Sequence, residues 1–478
     1  MDILLTHGHF LHEDAHELKV MKPYPPLGIL HLSAYLKQRG FHARVYDATF
    51  GSLAEYKTLL EHEHPAAVGI YGTLMTKFSV LEMLQLAKAA GSVVILGGPE
   101  PVNYLNEYLD LGADVIVLGE GEMVLEDLLP VLATSGCHAL ERISGIAFRR
   151  ENGSVFRTAP RPLIEDLDSL PDPDRDAVDI DEYLGVWRAH HGMGSVSVIC
   201  ARGCPYHCTW CSRAVYGNTH RRRSPRRVAS EVEHILARYK PDQLWYADDV
   251  FTIHHPWFFE YAAELKRRGI RVPFECISRA DRLNEEVIDQ LSEMGCCRLW
   301  LGSESGSQRI LDAMRRGVKI EQVRSVARAL KRRGIQTGMF VMLGYEGEDT
   351  NDLKATLDLI TECAPDSFLT TVAYPIRGTE YYETVHERIL DGAFWELRTD
   401  RDLGVRGRHS RRFYSFATRW IVNSVALQRE RNTGPHLFRL AKAAAATLVG
   451  RLGMVMTHRE VDRGARGSRR DRQGAVRS

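Results

Sequence analysis

The most informative stretch of this sequence is Cys200-Ala201-Arg202-Gly203-Cys204-Pro205-Tyr206-His207-Cys208-Thr209-Trp210-Cys211. Within it, Cys204, Cys208 and Cys211 are separated by three and then by two intervening residues. A short loop with this spacing can place three thiolates on three iron corners of a 4Fe-4S cluster, because cysteine thiolates are the usual ligands of such clusters. The fourth iron would lack a protein ligand, and an open metal position is where a substrate or cosubstrate binds. The sequence therefore predicts a cluster with one open iron.

A zinc site completed by His207 would also use these cysteines, and so would a set of three unligated thiols. A structural zinc site usually shows a fourth ligand at regular spacing and a second pair of cysteines, and neither is evident. The chain has nine cysteines, an odd number, and three of them cluster, which favours metal ligation in a reducing compartment over disulfides. Four others on or beside strand-like runs are interpreted as small buried apolar residues: Cys200, Cys276, Cys296 and Cys297.

Apolar runs typical of strands alternate with helical patterns over residues 1–135, which predicts a parallel, doubly wound α/β sheet resembling that of flavodoxin. A ligand of such a sheet lies outside the carboxyl ends of the strands, at a switch in strand order. Glycine-rich turns follow three of these runs, and glycine permits close approach of the backbone to a ligand. The expected strands are Ile3 to Thr6, Ala43 to Tyr46, Ala67 to Tyr71, Val93 to Leu96 and Asp114 to Leu118.

A second βα series spans residues 194–400, after a linker at 136–193 that is rich in turn-forming and acidic residues. Six strands with intervening helices predict a partial (β/α)6 barrel, related to TIM barrels, with its chemistry at the carboxyl ends of the strands. The expected strands are Ser195 to Cys200, Gln243 to Ala247, Pro273 to Ile277, Arg298 to Gly302, Gln336 to Met342 and Ser367 to Ala373.

Residues 401–478 form a C-terminal extension with weaker periodicity. Residues 436–457 show apolar positions at helical spacing with basic residues nearby, which predicts a surface helix, with a basic amphipathic helix as the second interpretation. The segment from Arg459 to Ser478 is rich in Arg and Gly and has few apolar residues, a composition typical of a disordered tail.

The 478-residue chain carries 62 Lys and Arg against 62 Asp and Glu, so no excess of charge indicates a nucleic-acid partner. His7 and His9 interrupt the N-terminal apolar run too early for a signal peptide. No apolar run is interpreted as approaching the ~20 residues of a transmembrane helix. We therefore expect a cytoplasmic protein without a transmembrane segment.

The cysteine spacing, placed after the first strand of a βα series, resembles the radical S-adenosylmethionine (SAM) superfamily over residues 194–379. The resemblance implies that the open iron of the 4Fe-4S cluster binds the amino and carboxylate groups of SAM. It also implies that the reduced cluster cleaves SAM to a 5′-deoxyadenosyl radical. Because cluster potentials reach roughly −700 mV, a low-potential electron donor such as a flavodoxin or a ferredoxin is implied as a partner.

The superfamily binds SAM mainly with residues at the ends of its barrel strands. Asp248 or Asp249 stands where the superfamily often has a Gly-Gly-Glu-type element, which receives the SAM amino group. Arg279 suits bidentate pairing with the methionine carboxylate, Glu304 follows a strand whose acid binds the ribose hydroxyls, and Gly344 lies in a turn resembling one near adenine. For each residue the competing interpretation is a solvated or paired charge at the barrel rim. The expected SAM contacts are Tyr206, Trp210, Asp248, Asp249, Arg279, Glu304 and Gly344.

The domain at 1–135 resembles the cobalamin-binding (B12-binding) domain that precedes the barrel in B12-dependent members of the superfamily. The Asp-x-His-x-x-Gly signature that supplies a lower axial histidine to cobalt is absent, which implies an open or hydrated lower face. His9, His12 and His16 are expected on the surface. The matching stretches are Pro25-Pro26-Leu27-Gly28-Ile29-Leu30-His31-Leu32-Ser33-Ala34-Tyr35-Leu36, Gly97-Gly98-Pro99-Glu100 and Gly119-Glu120-Gly121-Glu122. The expected cobalamin contacts are Gly72, Gly97, Gly98, Glu100, Gly119, Glu120 and Gly121.

These resemblances imply a cobalamin-dependent radical SAM methyltransferase that acts on an unactivated carbon or phosphorus centre of a small molecule or natural product. An oxidative cyclase of the anaerobic magnesium-protoporphyrin IX monomethyl ester cyclase type has the same domain order and is the competing reaction. A non-catalytic corrinoid-binding protein would share the first domain. That domain could also keep a flavodoxin-like fold without any cofactor and serve only for docking, because fold alone does not fix function.

The sequence does not name the substrate. The loop from Tyr216 to Arg227 and the region after Thr379 are expected to shape the substrate pocket. The run Arg221-Arg222-Arg223 is interpreted first as a solvated loop and second as an anion site, because runs of charge usually face solvent.

Overall fold

The computed structural model of the chain describes residues 1–390, 393–432 and 436–462. The chain divides into two compact units. The first unit comprises Met1–Pro205, Ser212–Ala247 and Arg267–Val272, and the second comprises Tyr206–Cys211, Asp248–Lys266 and Pro273–Ser478.

A seven-stranded sheet forms the centre of the first unit. Its strands are β1 (Ile3–His7), β2 (Ala43–Tyr46), β3 (Ala67–Tyr71), β4 (Val93–Gly97), β5 (Val115–Val117), β6 (Ile146–Arg149) and β7 (Val155–Arg157). Five strands pair in parallel in the order β2-β1-β3-β4-β5, and β6 and β7 continue the sheet in antiparallel pairing. Because the strand order reverses between β1 and β3, this sheet has the switch point at which doubly wound folds bind ligands.

Helices connect the parallel strands, as the alternating sequence pattern predicts. They are α1 (Glu17–Val20), α2 (Leu27–Gln38), α3 (Leu53–Glu63), α4 (Lys77–Ala89), α5 (Leu105–Asp110) and α6 (Glu122–Ser135). All five residues of β1 are buried, which is why its run is continuously apolar rather than alternating. Ile3 and Leu5 of β1 pack in one core with Ile29 of α2 and Leu128 of α6.

The segment expected to be a linker contributes regular structure to the first unit. Ile146, Ala147 and Phe148 are buried in β6, so this part of 136–193 belongs to the sheet. Helix α7 (Ile180–His191) follows, with Asp179 accepting a hydrogen bond from the Glu182 N–H at its start.

The remaining elements of the first unit surround the start of the cysteine loop. They are β8 (Ser195–Val198), β9 (Ala201–Arg202), β10 (Arg221–Arg222), α8 (Pro225–Arg238) and β11 (Gln243–Tyr246). Strands β8 and β11 pair in parallel, and β9 and β10 pair antiparallel. The loop therefore leaves the chain directly after a paired strand.

The second unit contains four parallel strands in the order β12-β13-β14-β15. These are β12 (Phe274–Ser278), β13 (Cys296–Glu304), β14 (Gln336–Leu343) and β15 (Ser367–Val372), and a small antiparallel pair is formed by β16 (Ile389–Leu390) and β17 (Gly404–Val405). The helices are α9 (His255–Arg267), α10 (Glu285–Met294), α11 (Gln308–Ala313), α12 (Ile320–Arg332), α13 (Thr350–Cys363), α14 (Glu380–Val385), α15 (Arg411–Asn432) and α16 (Leu437–Thr457). All six strands predicted for the second series are present, and the doubly wound domain followed by a partial barrel is confirmed.

Helix α16 is longer and more apolar than the sequence analysis expected. Its 21 residues reach a mean hydropathy of 1.2, so by length and composition alone it could cross a membrane. This corrects the statement that no apolar run approaches that length. The predicted disordered tail, Arg459 to Ser478, lies outside the described residues from position 463 onward.

Candidate functional site

A cavity of about 850 Å³, part of it open to solvent, lies within the first unit at the carboxyl ends of its parallel strands. Its walls are mainly apolar, as in most cofactor sites. Six glycines contribute to the lining: Gly28, Gly69, Gly97, Gly98, Gly119 and Gly121. Apolar side chains complete it, including Leu5, Ile29, Leu32, Ile70, Ile95, Val117 and Leu125.

Two of these glycines meet a backbone requirement and a third leaves room for a ligand. Gly98 has φ of +100°, and a Cβ there would come within 2.4 Å of the Gly72 carbonyl oxygen. Gly119 has φ of +111°, which side chains other than glycine rarely adopt. A Cβ on Gly97 would meet no atom within 4 Å. The cavity therefore has a cradle that larger residues would distort or fill.

Five of the seven expected cobalamin contacts line this cavity: Gly97, Gly98, Gly119, Glu120 and Gly121. Gly72 and Glu100 do not. The Gly72 N–H donates to the Gly97 carbonyl oxygen at 2.8 Å, and the Glu100 N–H approaches the Gly72 carbonyl oxygen at 3.5 Å. These two residues shape the turn beside the cavity rather than its wall.

Glu120 lies in a buried network of ion pairs at the cavity wall. Arg202 donates to Glu120 at 2.7 Å and to Glu122 at 2.5 Å, and Arg221 donates to Glu120 at 2.8 Å. The Ile164 N–H also donates to Glu120, at 2.8 Å. Burial alone would raise the pKa of Glu120, but Arg221 and Arg202 outweigh it and hold the pKa below its ordinary value.

The arginine run is neither a solvated loop nor an anion site in this structure. Arg221 pairs with Glu120, as described above. Arg223 pairs with Glu231 and, at 2.7 Å, with Asp172. The Arg222 Nε donates to the His220 Nε2 at 3.2 Å. The expectation of a solvated loop is therefore corrected, because acidic partners far away in sequence cover these cations.

Two cavity residues were missed by the sequence analysis. His31 of α2 lines the cavity, and its Nδ1 is buried with no hydrogen-bond partner in the described part of the chain. Burial and the nearby Arg202 lower the pKa of His31 to about 3, so the imidazole is neutral at physiological pH. Tyr216, in the loop expected to shape the substrate pocket, also lines this cavity.

The three histidines expected on the surface lie near the N-terminus. His12 and His16 are exposed, as predicted. His9 is half-buried, and its backbone N–H donates to the His7 Nδ1 at 3.2 Å.

In the second unit, the cysteine loop is held at Thr209. The Thr209 N–H donates to the Met314 carbonyl oxygen at 3.1 Å, and the Thr209 carbonyl oxygen accepts from the Tyr381 N–H at 2.9 Å. Its hydroxyl lies 2.5 Å from the Tyr345 hydroxyl. These contacts fix the backbone next to Cys208, which is buried, whereas Cys211 is half-buried.

Two arginines approach the Cys208 sulfur. The distance from Sγ to the Arg316 Nη1 is 3.5 Å, and to the Arg279 Nη1 it is 3.9 Å. A guanidinium is the kind of donor that an anionic sulfur accepts, because hydrogen bonds between charged groups are the strong ones. The surroundings of Cys208 therefore fit a thiolate ligand of an iron–sulfur cluster.

No group of three or more His, Cys, Asp or Glu converges to hold a single metal ion within residues 1–390, 393–432 and 436–462. The zinc interpretation, three cysteines with His207, finds no assembled site there. A 4Fe-4S cluster takes one sulfur on each of three different irons, so its cysteines need not converge on one point. The roles of Cys204, Cys208 and Cys211 as cluster ligands stay a prediction.

Arg279 is more fully engaged than the sequence analysis expected. Its Nε and Nη2 donate to the Asp281 carboxylate at 2.9 and 3.3 Å, and Nη2 donates to the Arg316 carbonyl oxygen at 2.5 Å. The guanidinium carbon lies 3.6 Å from the centre of the Tyr206 ring. The edge expected to grip a methionine carboxylate is paired with Asp281, so only Nη1 is directed at the cysteine loop.

Arg316, which the sequence analysis missed, is buried beside Glu304. Its Nη2 donates to the Gly302 carbonyl oxygen at 3.0 Å and lies 3.6 Å from the Glu304 carboxylate. Burial raises the pKa of Glu304, and Arg316 and Arg279 offset this only in part. Glu304 has φ of +54° at a register shift between β13 and β14, a strained conformation of the kind found at functional sites.

The remaining expected SAM contacts fall in different surroundings. Asp248 is buried and Asp249 is exposed, so only Asp248 is held inside the unit. Trp210 packs against the core that contains Met342 and Tyr381, and its Nε1 has no hydrogen-bond partner among the described residues. Gly344 has φ of +75°, and a Cβ there would lie 2.7 Å from the Tyr414 ring.

Glu348 is a second buried acid near this turn. It accepts a hydrogen bond from the Gly344 N–H, while its Oε1 has no partner in the portion of the chain that the structure describes. Burial raises its pKa to about 8, since the single backbone donor does not offset the loss of hydration.

Comparison with known proteins assigns both halves of the chain. Residues 198–360 match the radical SAM superfamily, and residues 18–129 match the B12 binding domain. An uncharacterised methyltransferase of Pyrococcus horikoshii is 26% identical over 80% of this chain and 84% of its own length. The anaerobic magnesium-protoporphyrin IX monomethyl ester cyclase of Rubrivivax gelatinosus is 28% identical over 75% of this chain and 66% of its own length.

A solved structure has the same fold. The radical SAM methyltransferase TsrM of Kitasatospora setae, with cobalamin and a [4Fe-4S] cluster bound, superposes with a TM-score of 0.67. The match covers 80% of this chain and 74% of that one, at 20% sequence identity. The chain is therefore an enzyme of the radical SAM superfamily, and it belongs to the members that carry a B12-binding domain ahead of the radical SAM domain.

Proposed function

We propose that this chain is a cobalamin-dependent methyltransferase that transfers a methyl group to an unactivated carbon or phosphorus centre of a small molecule. The observation that carries the proposal is that one chain holds both a glycine-lined cavity of about 850 Å³ and a buried cysteine sulfur faced by two guanidinium groups. The similarity to a methyltransferase over 84% of that relative's length supports the same reaction class.

When bound, the cluster and SAM supply the radical chemistry and cobalamin carries the methyl group. The protein's own residues bind and orient these groups. Gly97, Gly98 and Gly119 bring the backbone close to the corrinoid, and Arg202 and Arg221 fix Glu120 in the cavity wall. Such fixed groups need not rearrange when a ligand binds, so less ordering accompanies association.

Around the cysteine loop, the chain supplies positive charge and a shield from water. Arg316 and Arg279 face the Cys208 sulfur, and the Tyr206 ring covers the Arg279 guanidinium. Asp248 and Glu304 are buried acids that we assign to the amino group and the ribose of SAM. Arg316 joins the expected SAM contacts, because its Nη1 is directed at the loop.

An oxidative cyclase is the second candidate function. It is favoured by the 28% identity to the Rubrivivax gelatinosus cyclase, a value slightly above that of the methyltransferase relative. The two reactions differ in the fate of the SAM methyl group, which a methyltransferase moves to its substrate and a cyclase does not.

The test starts with anaerobic expression in the presence of cobalamin, reconstitution with iron and sulfide, and quantification of iron and cobalt. About four irons and one cobalt per chain are expected. The reduced protein is then mixed with SAM that carries a deuterated methyl group. Mass spectrometry showing the label on the corrinoid supports methyl transfer. Full cobalt loading without label on the corrinoid would contradict the methyltransferase and favour the cyclase.

We also propose a low-potential flavodoxin or ferredoxin as the electron donor and the cytoplasm as the compartment. The reducing compartment follows from the cysteine loop, whose thiols must stay reduced to bind iron. Reduction of the cluster by flavodoxin, followed by electron paramagnetic resonance, checks the first of these proposals.

A further inference from the structure

One face of α16 exposes a row of large apolar side chains. Between 53 and 82% of each of six residues is exposed: Leu437, Phe438, Leu448, Leu452, Val455 and Met456. We call this row the apolar stripe. Ala441 and Ala445 are also exposed and continue it along the helix. Proteins rarely expose apolar patches of this length unless something binds them.

The opposite face of α16 is fully used. A Cβ on Gly450 would come within 2.7 Å of the Trp420 backbone of α15, and one on Gly453 within 2.3 Å of the Phe416 ring. Ala443 and Met454 are buried on the same side. Because α15 covers this face closely, the apolar stripe is the outer side of a helical pair, and no described residue of the chain covers it.

Basic residues flank the apolar stripe. At about 100° per residue, Arg451 and Lys442 project on opposite sides of Leu452, and α16 contains no Asp or Glu. The surrounding chain has the same bias. Residues 411–478 hold fifteen Lys and Arg against four Asp and Glu, although the whole chain holds 62 of each. The last 68 residues therefore carry a net charge of +11 in a chain that is neutral overall.

We propose that α16 lies flat in the surface of an anionic phospholipid membrane. The apolar stripe would enter the boundary of the acyl chains, and Arg451 and Lys442 would contact lipid phosphates at its two edges. This is the arrangement of an interfacial amphipathic helix, whose affinity combines apolar burial with attraction to anionic lipid.

Two different occupants fit the observations less well. A helix that crossed the membrane would place Lys442 and Arg451 within the bilayer while one face stayed packed on α15, and charges at that depth are costly. A second copy of α16 would bring only basic residues to the edges of the contact, since all three of its charged residues are positive. An anionic lipid surface matches both the apolar stripe and its charge.

The experiment is co-sedimentation of the full chain with vesicles of phosphatidylcholine alone or of equal parts phosphatidylcholine and phosphatidylglycerol. Binding is expected on the anionic vesicles and should fall with added salt, because surface charge is screened. The double variant Leu452→Gln/Val455→Gln should bind at least about tenfold more weakly. The matched control Leu18→Gln/Leu369→Gln, which changes exposed apolar residues elsewhere, should bind as the unchanged chain does.

A second pair of variants separates charge from apolar contact. Lys442→Gln/Arg451→Gln should weaken binding to anionic vesicles by about fivefold per charge and leave any binding to neutral vesicles unchanged. Circular dichroism checks that each variant is folded. The proposal is overturned if the full chain binds neither kind of vesicle, or if binding resists high salt as a spanning helix would. It is also overturned if light scattering shows a dimer that Leu452→Gln/Val455→Gln separates.

Discussion

In the first unit, Glu120 and Glu231 each accept charge from two arginines, whereas in the second unit Glu304 and Glu348 are buried with weaker compensation. The pKa of Glu231 is lowered to about 2 because Arg175 and Arg223 outweigh its burial. The pKa of Glu348 is raised to about 8, because burial outweighs its one backbone donor. Buried acids of the same type are thus ionised in one unit and favour the protonated form in the other.

The difference follows from where the arginines point. Those of the first unit direct their donors at carboxylates within 2.8 Å. Arg316 in the second unit lies 3.6 Å from Glu304 and directs a donor at the Cys208 sulfur. Charges in the first unit hold the fold, and charges in the second unit are arranged around the cysteine loop.

Removing the sulfur that both arginines approach should have the largest effect. We expect Cys208→Ala to lose the cluster and to reduce SAM cleavage by at least about a thousandfold, because three thiolates are needed to hold the iron. Iron analysis and the electron paramagnetic resonance signal of the reduced protein measure this. Cys363→Ala, at a buried cysteine of α13, is the control and should keep both. Unchanged SAM cleavage in Cys208→Ala would disprove the cluster assignment.

Breaking the network of the first unit tests whether its charges are structural. Arg202→Met would leave Glu120 and Glu122 without a shared cation, and removing one partner of a buried pair costs roughly 3–5 kcal/mol of unfolding free energy. Urea unfolding measures the change. Arg149→Met is the control, because Arg149 pairs with the exposed Asp110 and should cost under about 1 kcal/mol. Equal losses in the two variants would remove the contrast between the units.

Glu348 allows a test of the second unit by pH. Its folded pKa of about 8 lies above the ordinary 4.5, so the folded state holds the proton more tightly than the unfolded chain. The resulting stabilisation is complete below about pH 4.5 and is lost as the pH rises to 8. Relative to Glu348→Gln, the unchanged chain should lose a few degrees in Tm between about pH 5 and pH 8. Parallel Tm profiles would show that Glu348 is ionised throughout.

The smallest expected effect is on the cluster potential. A cation beside a cluster sulfur favours the more negative, reduced state, so Arg316→Met should lower the midpoint potential by on the order of 60 mV, a tenfold change for one electron. Redox titration followed by electron paramagnetic resonance measures it. The neighbouring Arg315, which pairs with Glu380 at 2.7 Å, gives the matched control Arg315→Met. A shift shared by both variants would point to a general charge effect.

The strands could be predicted to within a few residues because parallel sheets are buried on both faces, which leaves continuous apolar runs in the sequence. Glycine turns after those runs located most of the cavity lining in the same way. Arg316 could not be found, since its contact with Cys208 joins residues 108 positions apart. His31 lay inside a quoted motif, yet only the orientation of α2 shows that it lines the cavity.

Helix α16 illustrates another limit of sequence patterns. Its periodicity predicted a helix, and the structure has one within a residue of the expected bounds. The pattern did not show which side α15 would cover, because small residues such as Gly450 are as compatible with exposure as with close packing. Burial of the small-residue side is what leaves the large apolar side chains outside.

The contacts of Arg202 bear on when the corrinoid is acquired. Every partner of this guanidinium in the cavity wall, Glu120 and Glu122, comes from the polypeptide itself. Folding of the first unit therefore does not require its cofactor, unlike that of small metal-dependent domains. A cell short of cobalamin would accumulate a stable apoenzyme, and activity would return on addition of the vitamin without new protein synthesis.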